Sequence, residues 1–273
     1  MRKLLPATAL PAALLGTLLA TMPPALPAAA QVASQGGASQ GSTSQGGAPE
    51  APGVLTPAQR AEVVAVLRQA LRDDPSILRD ALAAMEVAAQ RDREQASRAA
   101  IAANRDALLR DPESPVRGNP QGSVTVVEFF DARCGYCKSM QPAMDQLLRS
   151  NRNVRLVMKD LPILGPNSVL ASRALLAAQR QGKYDALYDA LLRLRTDPNE
   201  AVLRAEAERV GLDWARLRRD MDDPAIARRI ENNLRLARNL GIEGTPALVI
   251  GDRLIPGAVD LATLEAAVAE ASR

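Results

Sequence analysis

The chain has 273 residues, a formal net charge of +3, 47% apolar residues and 24% charged residues. It contains no histidine and only two cysteines. Catalysis by a Ser-His-Asp triad or a Cys-His pair is therefore excluded, because each requires an imidazole base. A tetrahedral zinc site is disfavoured, since it needs four ligands and the chain offers two thiolates and no imidazole. The charge balance indicates no field strong enough to attract nucleic acid.

Residues 1–30 have the pattern of a secretory signal peptide. Arg2 and Lys3 form a positive start, residues 4–20 are mostly apolar, and Ala28-Ala29-Ala30 supplies small residues for cleavage. An uncleaved membrane anchor is the alternative, although the prolines in this stretch make it marginal for a membrane span. Export predicts a periplasmic location, where disulfides form and persist. Without residues 1–30 the net charge falls to +1, because they carry two basic and no acidic residues.

Residues 31–54 are dominated by Gly, Ser, Ala and Gln, which predicts a flexible linker. Residues 55–112 then show helical periodicity without a strand signal. Thr56-Pro57 predicts the start of a first helix, and Asp74-Pro75 predicts a break before a second helix that runs from Ser76 to Leu109. The apolar stripes are narrow, so we expect residues 55–110 to pack either on copies of themselves, giving a homo-oligomer, or on the catalytic domain.

Residues 113–273 combine strand and helix patterns and predict an α/β domain. Two apolar runs are typical of buried strands. Several amphipathic helices follow them and form a predicted helical insertion, and a predicted hairpin comes after the insertion. A capped helix closes the chain. In chain order these elements are Ser123–Phe130, Val154–Met158, the insertion at about 166–240, Ala247–Ile255 and Asp260–Ala271.

Cys134-Gly135-Tyr136-Cys137 follows the first predicted strand by a few residues. This position predicts Cys134 at the first turn of a helix, where unpaired N–H groups and the helix dipole stabilise a thiolate. Cys137 lies on the same helix face, close enough to form a disulfide, and we expect it to be more buried. Cys134 is therefore predicted to attack a substrate disulfide and Cys137 to resolve the mixed disulfide. Tyr136 should be exposed and contact substrate.

Two further positions are candidates for the same site. Glu128 is a carboxylate within an otherwise apolar strand. It either faces solvent or lies beneath the active-site helix, where it would exchange the proton of Cys137 through water with a pKa raised by burial. Thr245-Pro246 precedes the Ala247–Ile250 run. A cis bond before Pro246 would expose the Thr245 backbone for substrate pairing, and an ordinary trans proline is the alternative.

These motifs together resemble the DsbA-like branch of the thioredoxin superfamily. The matching segments are Val127-Glu128-Phe129-Phe130, Cys134-Gly135-Tyr136-Cys137-Lys138 and Gly244-Thr245-Pro246-Ala247. The resemblance implies a thioredoxin-like fold with an inserted helical subdomain. It also implies the roles of five residues: Cys134 as nucleophile, Cys137 as resolving thiol, Glu128 as buried acid, and Thr245-Pro246 as the cis-proline loop.

Gly135-Tyr136 stands where the strongly oxidising members of this branch carry Pro-His. Without a histidine to favour the thiolate further, we expect a weaker oxidant. This dipeptide, the helical extension and the segment Lys159–Gly165 resemble the ScsC-type (suppressor of copper sensitivity) disulfide isomerases. That likeness implies homo-oligomers built through residues 55–110 and reduction by a membrane-embedded thiol reductase.

The leading hypothesis is a periplasmic thiol–disulfide oxidoreductase that reduces or reshuffles wrong disulfides in exported cysteine-containing proteins. A monomeric DsbA-like dithiol oxidase is one alternative. A copper(I)-binding thiol protein is another, because a thiolate pair suits that soft ion. A purely structural disulfide is disfavoured, since a bridge across so small a loop adds little stability. No cofactor, resident metal or nucleic-acid partner is predicted.

Overall fold

The computed structural model of the protein describes residues 55–273. The predicted signal peptide (1–30) and linker (31–54) lie outside this range. The chain divides into a unit that ends at Glu62 and a unit formed by Val63–Arg273, and the second contains the fold described below. No helix within residues 55–273 has both the length and the apolar character needed to cross a membrane.

The N-terminal part of the described chain is helical, as the sequence predicts. It comprises α1 (Pro57–Asp73), α2 (Ser76–Ala103) and α3 (Arg105–Leu109). The predicted start of α1 is correct: Thr56 Oγ1 accepts a hydrogen bond from the N–H of Gln59, whose Oε1 accepts one from the N–H of Thr56. Helix α2 begins at the predicted residue but without a cap from the Ser76 side chain, and the Asp74 carboxylate accepts from the Ser76 N–H at 2.9 Å. The predicted single helix to Leu109 is broken at Asn104.

The two ends of the N-terminal helical pair differ in burial. Near the end of α2, Ile101 is only 6% exposed and packs in a cluster with Leu108 and Phe129. Arg98 lies 3.6 Å from Asp252 of the final hairpin. The end of α2 therefore packs on the sheet, which was one of the two alternatives. Large apolar side chains earlier in α1 and α2 are exposed, namely Val63, Val64, Val66, Leu67, Leu71, Ile77, Leu78, Leu82, Met85 and Val87.

The remainder of the chain forms a five-stranded mixed sheet with strand order β1-β3-β2-β4-β5. The strands are β1 (Val116–Gly118), β2 (Val124–Phe130), β3 (Val154–Asp160), β4 (Ala247–Ile250) and β5 (Arg253–Pro256). The pair β2–β3 is parallel and the other pairs are antiparallel. Sequence reasoning did not predict β1, because three residues are too few to show a strand period. The predicted hairpin turns at Gly251, whose φ of 63° suits glycine.

Helices surround this sheet. They are α4 (Gly135–Ser150), α5 (Pro166–Gln179), α6 (Tyr184–Arg193), α7 (Glu200–Arg209), α8 (Trp214–Met221), α9 (Pro224–Asn239) and α10 (Leu261–Ala271). Helices α5–α9 lie between β3 and β4, in the segment where the sequence predicts a helical insertion. Side-chain caps begin four of the helices, at Asn199, Asp213, Asp223 and Asp260.

Both faces of the central strand β2 are buried, which explains its nearly continuous apolar sequence. Val126 and Phe130 belong to a core cluster that includes side chains of α4, α5 and α6. Val127 and Phe129 belong to a second cluster with side chains of α2, α3 and α9. Since side chains alternate along a strand, Glu128 lies on the same face as Val126 and Phe130. That face is covered by α4, the helix that carries the cysteines.

Candidate redox site

Cys134 is the N-cap residue of α4, with φ of −65° and ψ of 121°. Its sulfur lies 3.1 Å from the carbonyl oxygen of Thr245, to which the protonated thiol donates. A hydrogen bond from the Cys137 thiol lowers the pKa of Cys134 to about 5, with help from the side chain of Thr245 and from the N–H groups of Cys137 and Tyr136. Burial opposes this effect but is outweighed. The predicted thiolate at a helix start therefore has a physical basis.

Cys137 has the opposite electrostatic environment. Its side chain is fully buried within the first turn of α4. The hydrogen bond that its thiol donates to Cys134 raises the pKa of Cys137 above the ordinary value, and burial and the nearby charge of Glu128 raise it further. Both cysteines are free thiols. One sulfur is therefore readily ionised, while its neighbour keeps its proton.

Glu128 is buried with 1% exposure, so the solvent-facing alternative is wrong. Burial raises the pKa of Glu128 to about 7, the positive charge of Arg117 opposes the rise, and Asp145 adds to it. Its Oε2 atom is buried without a hydrogen-bond partner. The Glu128 charge also acts on Cys137. A carboxyl group that titrates near neutral pH beside a buried thiol is suited to accept or donate a proton.

The remaining predicted site residues are Thr245, which is half-buried, Pro246, which is buried, and Tyr136 between the cysteines. The Thr245–Pro246 peptide bond is cis. A cleft of about 220 Å³ adjoins this loop and is lined by Thr245, Pro246 and Leu254 among others. Tyr136 is 71% exposed. The structure thus brings all six predicted site residues to one end of the sheet, although they come from three separate segments of the chain.

A family profile described as a DSBA-like thioredoxin domain matches residues 125–269, which include both cysteines and the Thr245–Pro246 loop. The chain belongs to the DsbA-like thioredoxin family. This family consists of thiol–disulfide oxidoreductases, and the match confirms the thioredoxin-like fold with its helical insertion.

Solved structures that resemble this chain include further thioredoxin-like oxidoreductases. A thioredoxin-like oxidoreductase from Silicibacter pomeroyi is 46% identical, with a TM-score of 0.61 over 62% of this chain and 98% of that chain. A linker-deletion mutant of Proteus mirabilis ScsC is 31% identical, with a TM-score of 0.61 over 81% of this chain and 99% of that chain.

Curated proteins of similar sequence include longer chains. Na(+)/H(+) antiporter NhaA 3 of Salinispora tropica is 35% identical over 164 residues. This chain spans about a quarter of the length of such curated relatives, 25% for that antiporter.

In this DsbA-like domain, sequence reasoning missed a buried arginine. Arg117 of β1 is 8% exposed and lies among three carboxylates: Asp189 at 2.7 Å, Asp145 at 3.5 Å and Asp185 at 3.6 Å. Its guanidinium also stacks over the ring of Tyr188 at 4.5 Å. It connects β1 with the cysteine-bearing helix and with α6, and its charge reaches Glu128. No sequence pattern indicated that Arg117 is buried, because β1 was not predicted and the three carboxylates are distant from Arg117 in the sequence.

Sequence reasoning also missed Asp131, the fully buried residue that follows β2. Its Oδ1 atom accepts from the N–H of Arg133 at 2.8 Å, and its Oδ2 atom accepts from the N–H groups of Ile163 and Leu164. Its carbonyl oxygen accepts from the N–H of Cys134 at 2.9 Å. Asp131 therefore joins the cysteine-bearing turn to the loop after β3. The sequence did offer a signal, because an Asp side chain often accepts a hydrogen bond from the backbone N–H two residues later, here that of Arg133.

Cationic side chains also border the turn. Arg133 donates to the carbonyl oxygen of Leu164 and to the carboxylate of Asp197. Lys138 donates from Nζ to the Leu194 carbonyl oxygen at 2.8 Å, and its charge interacts favourably with the Cys134 thiolate. Within residues 55–273, no group of three or more Cys, Asp or Glu side chains is arranged to hold a metal ion.

Proposed function

We propose that this protein is a periplasmic thiol–disulfide oxidoreductase that acts mainly as a disulfide isomerase or reductase on exported proteins. The observation that carries the proposal is the opposite displacement of two neighbouring thiol pKa values, downward for Cys134 and upward for Cys137. Membership of the DsbA-like family supports the same chemistry.

In the proposed reaction the Cys134 thiolate attacks one sulfur of a substrate disulfide. The substrate S–S bond breaks, a mixed disulfide forms, and the second substrate sulfur leaves as a thiolate, which takes a proton only when it reacts no further. In isomerisation this released thiolate attacks another disulfide of the same substrate, and Cys134 is finally displaced unchanged. The substrate then gains no net electrons.

In the proposed reduction Cys137 resolves the mixed disulfide. Its proton passes to the ionised Glu128, and the resulting thiolate attacks the Cys134 sulfur. The Cys134–Cys137 disulfide forms and the second substrate thiol leaves, so the substrate gains the two electrons that the dithiol loses. A Glu128 pKa of about 7 suits both directions of this proton transfer near neutral pH.

The acidity of Cys134 favours a weaker oxidant than the strongly oxidising members of the family. Its pKa of about 5 lies between the values of about 7 for thioredoxin and about 3.5 for DsbA. Because a more stable thiolate makes the disulfide form more oxidising, the expected redox potential is intermediate. This agrees with the absence of histidine between the cysteines.

We also propose that residues 55–112 form an oligomerisation region, joined by linker 31–54 to signal peptide 1–30 and followed by catalytic domain 113–273. The exposed apolar side chains between Val63 and Val87 support self-association, because large apolar patches on a soluble surface mark interaction sites. The ScsC match extends over 81% of this chain, more than residues 113–273 alone. The proposed partner for re-reduction is a membrane-embedded thiol reductase.

Refolding of scrambled ribonuclease by the reduced full-length protein tests the function. Cys134→Ser should abolish both isomerisation and reduction, whereas Cys137→Ser should retain the first attack and accumulate mixed disulfides. Glu128→Gln should slow resolution by about a hundredfold or more, as expected for loss of a general acid–base group. Glu231→Gln, an exposed carboxylate on α9, is the matched control. Full activity of Cys134→Ser would overturn the proposal.

Measurement of mass in solution tests the oligomer. A Leu67→Ser, Leu82→Ser and Met85→Ser triple variant removes exposed apolar side chains without opening a core, since each is at least half exposed. It should be monomeric, with isomerase activity reduced and the Cys134 pKa unchanged. A monomeric wild-type protein with full isomerase activity would contradict the oligomerisation proposal.

A further inference from the structure

A polar cavity of about 430 Å³ lies between α3, the segment that leads into β1, the end of β3, and α9. Its volume is within the range of about 300–1,000 Å³ that is common for small-ligand pockets. Lys159 of β3 lines the cavity and pairs in register with Phe129 of β2. Phe129 belongs to the second core cluster, on the sheet face opposite α4. The cavity is therefore separate from the redox site.

The buried part of the cavity contains a cation with a hydrogen-bond donor to spare. Lys159 is 1% exposed, and its Nζ atom bonds to Asp111 Oδ2 at 2.9 Å and to Ser114 Oγ at 2.7 Å. An ammonium group has three N–H donors, so one remains for a ligand. Burial lowers the pKa of Lys159, and Asp111 opposes this shift. A second carboxylate beside Nζ would offset the cost of burying the charge.

Arg229 of α9 is half-buried and borders the same cavity. Its Nη2 atom donates to the carbonyl oxygen of Glu113 and to Gln179 Oε1. Within residues 55–273 its Nε and Nη1 atoms form no hydrogen bond, and both are donors. Hydrogen bonds from cationic donors to a carboxylate are stronger than those to a neutral acceptor. Arg229 and Lys159 together therefore favour a ligand carboxylate.

The charges that line the cavity are separated by depth. The buried and half-buried charged side chains, two positive and one negative, have a net charge of +1: Lys159, Arg229 and Asp111. The exposed ones, one positive and two negative, have a net charge of −1: Arg235, Asp106 and Glu113. A ligand with a carboxylate at one end and an ammonium group at the other matches both parts, whereas a simple anion matches only the first.

Amide and apolar side chains complete the lining. Asn232 and Asn239 are exposed at the mouth, and each amide group can both donate and accept, as a peptide group requires. Leu176 and Leu236 are buried and border the inner part. The inner part thus offers an apolar contact beside the two cations, which suits a C-terminal residue with an apolar side chain.

We propose that this cavity binds a short zwitterionic peptide. Its C-terminal carboxylate lies between Lys159 and Arg229, and its ammonium group lies near Asp106 and Glu113 at the mouth. The site requires no thiol chemistry, so it is independent of the proposed function.

Calorimetric titration of the full-length protein with the dipeptide Ala-Leu tests the inference. We expect a dissociation constant of about 1 mM or lower, a modest affinity for a ligand of about 14 non-hydrogen atoms. Ala-Leu amide lacks the carboxylate, N-acetyl-Ala-Leu lacks the ammonium group, and inorganic phosphate is a simple anion. Each should bind at least about tenfold more weakly than Ala-Leu. Binding should be equal in the reduced protein and in its disulfide form, which separates this result from any failure of the proposed function.

Two variants locate the binding in the cavity. Arg229→Gln should weaken Ala-Leu binding by about tenfold or more. Asn239→Leu, at an exposed position, should weaken it by narrowing the mouth without opening a core. Arg238→Gln, exposed on the same helix and outside the lining, is the matched control and should bind as wild type does.

Lysine side-chain NMR gives a second readout, because residues 31–273 contain only three lysines: Lys138, Lys159 and Lys183. Addition of Ala-Leu should shift the Lys159 signal alone. No binding of Ala-Leu at about 10 mM would overturn the inference, as would equal binding of phosphate or of either blocked dipeptide. Equal binding by wild type and both cavity variants, or a shift of another lysine in place of Lys159, would also overturn it.

Discussion

The sulfur of Cys134 lies 3.1 Å from the carbonyl oxygen of Thr245, although 111 residues separate the two in the sequence. The contact brings the turn after β2 against the loop before β4. The acidic thiol and the backbone expected to pair with substrate are therefore adjacent. Neither segment alone would create this arrangement, because the cysteine-bearing helix supplies the thiolate and the loop supplies the neighbouring backbone.

Cys134 should ionise at much lower pH than a free cysteine. Thiolate absorbance of the reduced protein is expected to show a midpoint near pH 5, because the Cys137 thiol and helix N–H groups stabilise the anion. Cys137→Ala removes the largest of these contributions and should raise the midpoint by about one unit or more. A wild-type midpoint near 8.5, the value of free cysteine, would contradict the assigned environment.

Protein stability should fall as pH rises from about 4.5 to 7. Burial raises the pKa of Glu128 from 4.5 to about 7 and that of Asp160 from 3.8 to about 7. The folded state therefore holds protons that the unfolded state has already released in this range, and unfolding becomes easier as pH increases. The raised pKa of Glu128 contributes about 3 kcal/mol to the free energy of unfolding. This contribution is fully present below the pKa of Glu128 in the unfolded state, and it is lost as the pH rises through the pKa in the folded state.

Urea unfolding at pH 5 and pH 8 measures this dependence in wild-type, Glu128→Gln and Asp160→Asn proteins. Each variant should show a flatter profile than wild type and higher stability than wild type at pH 8, because an uncharged amide replaces a carboxylate forced to ionise. Glu231→Gln, exposed on α9, should follow the wild-type profile. A wild-type free energy of unfolding that rises between these pH values would contradict the prediction.

Replacement of Arg117 should be strongly destabilising. Arg117→Met leaves the carboxylates of Asp145, Asp185 and Asp189 without their shared cation, and loss of one partner of a buried ion pair costs about 3–5 kcal/mol. It should also raise the pKa of Glu128 further, since Arg117 lowers it. Denaturant unfolding measures the first effect, and carboxyl NMR titration measures the second.

Arg117→Lys should recover part of the stability, because it keeps the charge but not the forked geometry. Arg238→Met, at an exposed position of α9, should change stability by less than about 0.5 kcal/mol. If Arg117→Met changed stability as little as Arg238→Met, the buried cluster would not contribute as described.

Asp131→Asn should release the loop after β3. The substituted amide group cannot accept from the Ile163 and Leu164 N–H groups if it keeps its oxygen towards Arg133. Loss of acceptors for these partly buried donors costs up to about 1–3 kcal/mol. Hydrogen exchange of the residue 163 and 164 amides should accelerate, whereas amides in β2 away from the turn should change only with global stability. Asp80→Asn, exposed on α2, is the control, and equal protection in both variants would contradict the role of Asp131.

Local sequence patterns predicted most helices and four of the five strands correctly, because short apolar runs, caps and glycine turns act over a few residues. The end of α2 shows where this reasoning stops. Its apolar stripe was compatible with self-association or packing on the sheet, and the burial of Ile101 depends on residues far along the chain. Strand β1 was missed because its pairing with β3, rather than its own three residues, creates it.

The chemistry of this protein was already determined by its amino-acid sequence: two thiols one helical turn apart, no imidazole, and a strand leading directly into the helix that carries them. Tertiary structure decided which way Glu128 faces, which carboxylates surround Arg117, and which loop Asp131 binds. The physical reason is the distance along the chain over which each interaction acts. Helix starts and thiol acidity depend on neighbouring residues, whereas burial and ion pairing depend on surfaces that meet only when β1, α6 and the loop after β3 are packed around β2.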